Sequence, residues 1–198
     1  MTLGKLWNYC SELMSKKASA NPDILDAGAD FYFIEDKKTD TEAGVWIKDK
    51  TAVICFMQTE DKNFLDWLYN FLVIPWKFGK DWYHLGYLIK AKRIKKQVFE
   101  LLGSKGCTDI AFVGYSQGGA IAAIIAGDKY YSYTVGCPNY TLTPNKERKS
   151  INVKISSDII TTLPLFYDKH GVILALHTDN KYNFADHLQY GDRLKEFD

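Results

Sequence analysis

The sequence predicts an α/β fold in one domain: a mainly parallel sheet with helices on both faces. Three observations point there. Short β-branched and aromatic runs alternate with amphipathic helical runs along most of the chain. Asp109–Gly114 (DIAFVG) is an uninterrupted apolar run of the kind that fills a fully buried strand. That strand passes through Gly114-Tyr-Ser-Gln-Gly-Gly119 directly into the small apolar run AIAAIIAG, so strand and helix are joined by a tight, glycine-rich turn.

The elements follow in order. Leu3, Leu6, Trp7, Cys10, Leu13 and Met14 recur every three or four residues and predict an amphipathic helix over about 3–17, broken by Asn21-Pro22-Asp23. Asp30–Asp36 and Gly44–Phe56 are rich in aromatic and β-branched residues, and the polar Lys48-Asp49-Lys50 divides the second run into strand, turn, strand. From Asp61 the period changes, with Phe64, Trp67, Leu68, Phe71 and Leu72 on one helical face until Ile74-Pro75. Leu85–Leu102 is the longest helix; Lys90, Lys92, Arg93, Lys95 and Lys96 are expected to lie mostly on its solvated face. After the glycine-rich turn come strands at Tyr133–Gly136, Ile151–Ser156 and Val172–His177, and a helix from about Phe184 to Phe197.

Composition narrows the function. The chain has 198 residues, enough to bury a core without metal or disulfide support, and 25 basic against 24 acidic residues give a net charge of +1. Such a balance lacks the concentrated positive surface of a nucleic-acid binder. The four cysteines (Cys10, Cys55, Cys107, Cys137) are widely spaced with no C-x-x-C pair and read as reduced, mostly buried thiols. No signal-peptide-like start or stretch of bilayer-spanning length is visible, so a cytoplasmic location is expected.

The chemistry centres on Gly114-x-Ser116-x-Gly118. A serine between a buried strand and a helix fits a nucleophile elbow, in which small residues let strand and helix approach closely. The elbow aims the backbone N–H of Gln117, at the helix N-terminus, toward a developing oxyanion. A serine hydroxyl needs a histidine base, and the base needs an acid to orient it. In an α/β-hydrolase the order is serine, acid, histidine, which excludes His84 and leaves His170, His177 and His187. His187 is preferred because it follows the last strand in NFADHLQYG, whereas His177 closes a strand. Asp158, directly after INVKISS, is the preferred acid, with Asp168 and Asp179 behind it and Asp186 read as a helix cap.

This order of motifs resembles the class 3 (fungal-type) lipases of the α/β-hydrolase fold. The family's Phe-Arg-Gly-Thr/Ser turn and following Asp-Trp correspond to Phe56-Met57-Gln58-Thr59 and Asp66-Trp67. Its His-x-Gly-Phe resembles His84-Leu85-Gly86-Tyr87, and its elbow resembles Gly114–Gly119. Its Gly-x-Pro is similar to Gly136-Cys137-Pro138, and its acid loop to Asp158–Pro164. Two departures stand out. Met57-Gln58 replaces Arg-Gly, and Gly-Tyr-Ser-Gln-Gly with His187-Leu188-Gln189-Tyr190 is cutinase-like. The resemblance covers about residues 45–190 and implies Ser116, Asp158 and His187 as catalytic residues of a carboxylic ester hydrolase. It further implies Thr59 and Gln117 as oxyanion donors, no metal or organic cofactor, and a lipid or short-chain acyl ester substrate.

Asp66, Trp67 and His84 are expected in supporting roles, His84 as a structural hydrogen bonder. Tyr115, Trp82 and Tyr83 are candidates for the substrate pocket, and the aromatic run Trp76, Phe78, Trp82, Tyr83 for contact with a lipid interface. The intervals from Ser116 to Asp158 and from Asp158 to His187, 42 and 29 residues, leave little room for a large lid. A thioesterase or acyltransferase on the same scaffold, and a hydrolase-like protein that only binds, remain the alternatives.

Overall fold

Strand β3 (Thr51–Gln58) shows in one element why the chain folds around a central sheet. Its alternate residues Ala52, Ile54 and Phe56 enter one buried cluster, and Val53, Cys55 and Met57 enter a second on the opposite face. A strand apolar at both parities must be covered on both sides, and it is. The computed structural model describes residues 2–14, 28–58 and 74–194.

The main sheet has seven strands: β1 (Asp30–Asp36), β2 (Thr41–Lys48), β3, β6 (Asp109–Tyr115), β7 (Tyr131–Val135), β8 (Ser150–Ile155) and β9 (Val172–Leu176), adjacent in that order. The first three form an antiparallel meander, and β3 onward pair in parallel. Helix α2 (Leu85–Ser104) and helix α3 (Gln117–Ala126) cover one face, packing Tyr87, Leu88, Ile94, Val98, Ile121 and Ile125 over Ile54, Phe56 and Phe112. Helix α1 (Leu3–Met14) and the short α4 (Tyr190–Leu194) cover the other, with Trp7, Cys10 and Tyr190 over Trp46, Val113 and Val153. The mainly parallel α/β architecture is thus observed. All four cysteines are free thiols, although the Sγ atoms of Cys10 and Cys55 lie 3.8 Å apart. Among the described residues, no helix is long and apolar enough to cross a membrane.

Several details differ from the sequence expectations. An antiparallel hairpin, β4 (Pro75–Phe78) with β5 (Asp81–His84), precedes α2. Its signal is the aromatic alternation of Trp76-Lys-Phe78 and Trp82 about a Gly79-Lys80 turn, with Gly79 at φ +62°. Lys90 does not lie on the solvated face of α2; it is buried against α3. The C-terminal helix divides into a 3-10 turn (Ala185–Leu188) and α4. The helix expected from Asp61 and the break at Asn21-Pro22-Asp23 lie outside the described residues.

Candidate active site

The turn between β6 and α3 is built from backbone that only small residues permit. Ser116 sits at φ 51°, ψ −127°, a region that side chains rarely occupy and that is retained where the surroundings enforce it. Its neighbours enforce it. A Cβ on Gly114 would lie 2.3 Å from the Gly118 carbonyl oxygen, and one on Gly118 would lie 2.0 Å from the Phe56 carbonyl oxygen. The glycines therefore let α3 start directly against β3 and β6. The Ser116 N–H is anchored to the Val135 carbonyl of β7 at 2.9 Å.

Two loops at the carboxyl ends of β8 and β9 bring the remaining groups in. Asp158 follows β8 and caps a 3-10 turn (Ile159–Thr162): its Oδ1 accepts the Ile160 N–H at 2.9 Å. Its Oδ2 lies 2.8 Å from His187 Nδ1, and His187 Nε2 lies 2.9 Å from Ser116 Oγ. With Nδ1–H donating to the carboxylate, Nε2 is left to accept the serine proton. All three side chains are buried, Asp158 completely. His187, rather than His177 or His170, is the histidine within hydrogen-bonding distance of Ser116. His177 is exposed at the end of β9, and His170 Nδ1 accepts the Asn145 N–H at 3.0 Å. Asp168 instead faces Lys146, 3.4 Å away.

Supporting contacts fix both partners of Ser116. Tyr190 donates its hydroxyl to Asp158 Oδ2 at 2.8 Å and accepts the Ile155 N–H at 2.9 Å; burial and then the Asp158 charge push its phenol pKa up, so it remains a donor. Tyr115 donates its hydroxyl to the His187 carbonyl oxygen, and its ring stacks on the imidazole with centroids 5.2 Å apart. Tyr115 is therefore seen as a brace for His187. Asp186 is not a helix cap: Phe184 holds that position, and the Asp186 carboxylate accepts Asn180 and Asn183 within its own loop and Ser157 from the loop carrying Asp158, which ties the two loops together. Those hydrogen bonds, Ser157 foremost, hold its pKa below the ordinary value. Lys169 is a residue that sequence reasoning missed. Its buried ammonium donates to Asn139 Oδ1 at 2.6 Å and to the Thr161 carbonyl behind the acid loop, and burial lowers its pKa to about 8.

The other expected site residues fall elsewhere or cannot be placed. Tyr83 is buried with its hydroxyl between Asp81 and Arg148. With Phe78, Asp81, Phe99, Ile125 and Arg148 it lines a cavity of about 740 Å³ beside the C-terminal half of α3, the end remote from Ser116. Trp82 is exposed on the hairpin, and its neighbours Trp76 and Phe78 are exposed with it. His84 stacks on Tyr87 with centroids 4.4 Å apart, and its Nδ1 has no partner among the described residues, so the ring is seen packing rather than bonding through that nitrogen. Thr59, Asp66 and Trp67 lie outside the described residues. Gln117 begins α3, and its buried side chain accepts a hydrogen bond from Lys90 Nζ at 2.9 Å.

The fold is that of the fungal lipases. The structure is similar to a lipase from Rhizopus microsporus var. chinensis, with a TM-score of 0.72 at 17% identity over 96% of this chain and 85% of that one. It is similar to lipase II from Rhizopus niveus, with a TM-score of 0.71 at 18% identity over 93% and 89%. It is also similar to the Rhizomucor miehei triacylglyceride lipase, with a TM-score of 0.68 at 16% identity over 96% and 92%. No protein-family model and no curated sequence matches the chain.

Proposed function

We propose that this chain is a serine hydrolase that cleaves carboxylic esters, with lipid acyl esters as its main substrate class. One observation carries the reading: an unbroken hydrogen-bond chain from Ser116 Oγ through His187 to Asp158, mounted on a strained strand-to-helix turn. The lipase fold supports the ester class, and the triacylglyceride in the name of the Rhizomucor miehei enzyme favours lipid acyl esters within it.

In this reading Ser116 Oγ attacks the acyl carbon as its proton passes to His187 Nε2. The carbonyl electrons move onto oxygen, where the Gln117 N–H at the start of α3 receives them, with Thr59 as the second donor implied by the family resemblance. Collapse breaks the bond to the alcohol, which leaves with the proton from His187. Water then attacks the acyl-Ser116 ester, gives its proton to His187, and the carboxylic acid departs as Ser116 recovers the proton. Asp158 keeps Nδ1 protonated and stabilises the imidazolium formed in both halves. Nothing in these steps calls for a metal or organic cofactor.

Contact with a lipid surface belongs to the same reading. Leu165, Phe166 and Leu188 are 75%, 89% and 67% exposed, and they lie on the loops that carry Asp158 and His187. Large apolar side chains presented to solvent on the loops that carry Asp158 and His187 suit an insoluble substrate.

The test is covalent labelling. A fluorophosphonate reacts rapidly only with a serine whose base is in place, so intact mass should show one adduct on the native protein and none on Ser116→Ala. An adduct on both, or on neither, would refute the assignment.

A further inference from the structure

The interface between α2 and α3 is apolar along its length except at the end beside Ser116. All ten residues of α3 are buried, and Gln117 is the one among them with a polar side chain. Of the eight buried residues of α2, Lys90 is the one that carries charge. These two meet: Lys90 Nζ donates to Gln117 Oε1 at 2.9 Å, with 8% and 1% of the two residues exposed.

The chemistry of the pair fixes its orientation. An ammonium only donates, so the Gln117 amide must turn its oxygen to Lys90, and Nε2, which points elsewhere, has no acceptor among the described residues. A Met and a Leu would fill similar space without burying a donor that lacks a partner, so stability is a poor reason for this arrangement. Its location offers a better one. Gln117 is the first residue of α3, and the backbone N–H groups of a helix's first turn have no acceptor inside the helix.

We infer that Lys90 is a positioning residue for the oxyanion donor: by gripping the Gln117 side chain it fixes the Gln117 N–H relative to α2 and adds positive charge behind it. The inference rests on the ester-hydrolase reading. Charge that appears on the substrate oxygen during attack would be stabilised by a donor already aimed at it and by a nearby cation in a site of low dielectric. Lys90 need not touch substrate, so its effect belongs to the rate of acylation rather than to substrate binding.

The experiment compares native protein, Lys90→Met, Lys90→Arg, Gln117→Met and the Lys90→Met/Gln117→Met pair by p-nitrophenyl butyrate kinetics and by the rate of fluorophosphonate labelling. Lys90→Met and Gln117→Met should each lower kcat and the labelling rate by roughly ten- to a hundredfold with KM nearly unchanged. The double variant should be no slower than the slower single one, because both act by one route. Lys90→Arg should recover most of the rate, since it restores donor and charge. A kcat for Gln117→Met within about twofold of native would overturn the inference even if Lys90→Met failed to fold. So would additive losses in the double variant, or a loss carried in KM. If the native protein is labelled and every variant is labelled at the native rate, this inference alone fails; if the native protein is not labelled, the ester-hydrolase reading fails and takes this with it.

Discussion

Tyr190 and His187 donate to the same oxygen: the Tyr190 hydroxyl and the His187 ring nitrogen each lie 2.8 Å from Asp158 Oδ2. The phenol therefore holds the carboxylate at the angle that the imidazole requires, and through Ile155 it ties that angle to the end of β8.

Replacing Tyr190 by Phe removes this hold and leaves the buried Ile155 N–H without its acceptor. Loss of that partner is expected to cost about 1–3 kcal/mol, a fall in Tm of roughly 2–12 °C by thermal denaturation. Ester turnover should fall by about tenfold in kcat as the base loses its orientation. Native turnover in Tyr190→Phe would show that Asp158 is held well enough by the Ile160 N–H alone.

Two glycines, one in the turn at Ser116 and one near the end of α2, make a second prediction. Gly118→Ala would place a methyl group 2.0 Å from the Phe56 carbonyl, which is backbone and cannot step aside. The expected loss is about 3 kcal/mol or more, together with loss of fluorophosphonate labelling. Gly103→Ala, with nothing within 4 Å of the new methyl and a helical setting, should instead stabilise by about 0.5–1 kcal/mol. Urea denaturation of the two variants side by side decides both.

Acid stability is expected to report two buried histidines. Burial lowers the pKa of His84 and of His170 from 6.5 to about 4. Between those values the unfolded chain binds protons that the folded chain refuses, so stability is complete above pH 6.5 and falls as pH drops toward 4. His84→Phe, which can still stack on Tyr87, should make the decline of Tm over that interval shallower. An unchanged slope would mean that His84 titrates normally.

Two exposed aromatic regions compete for contact with lipid, and they can be separated. Phe166→Ser on the acid loop should reduce hydrolysis of an emulsified triacylglycerol several-fold while leaving p-nitrophenyl butyrate turnover unchanged. Trp82→Ala on the hairpin should do so less, because that hairpin borders the cavity remote from Ser116. Equal losses in both would assign the interface to the hairpin as well.

The parallel sheet and the Ser116, Asp158 and His187 positions were legible because their signals are local. The signals are a strand ending in Gly-x-Ser-x-Gly, an aspartate at the next strand end but one, and a histidine after the last strand. What escaped depends on packing between distant segments. Lys90 lies within a run of lysines and carries no sequence mark of burial; only α3 laid across α2 reveals it. Lys169 likewise gains its meaning from Asn139 and the Thr161 carbonyl, 30 and 8 residues away. Tyr83 reads as a pocket aromatic because it belongs to the aromatic run Trp76, Phe78, Trp82, Tyr83, but strand alternation turns it inward to Arg148.

The fit of Gly118 beneath the Phe56 carbonyl has a mechanical consequence. It acts as a bearing with no clearance: β3 cannot slide or lift at Phe56 without displacing the helix that carries the nucleophile. The end of β3 and the turn that carries Ser116 therefore move as one body, and a load on the strand is passed straight to the nucleophile.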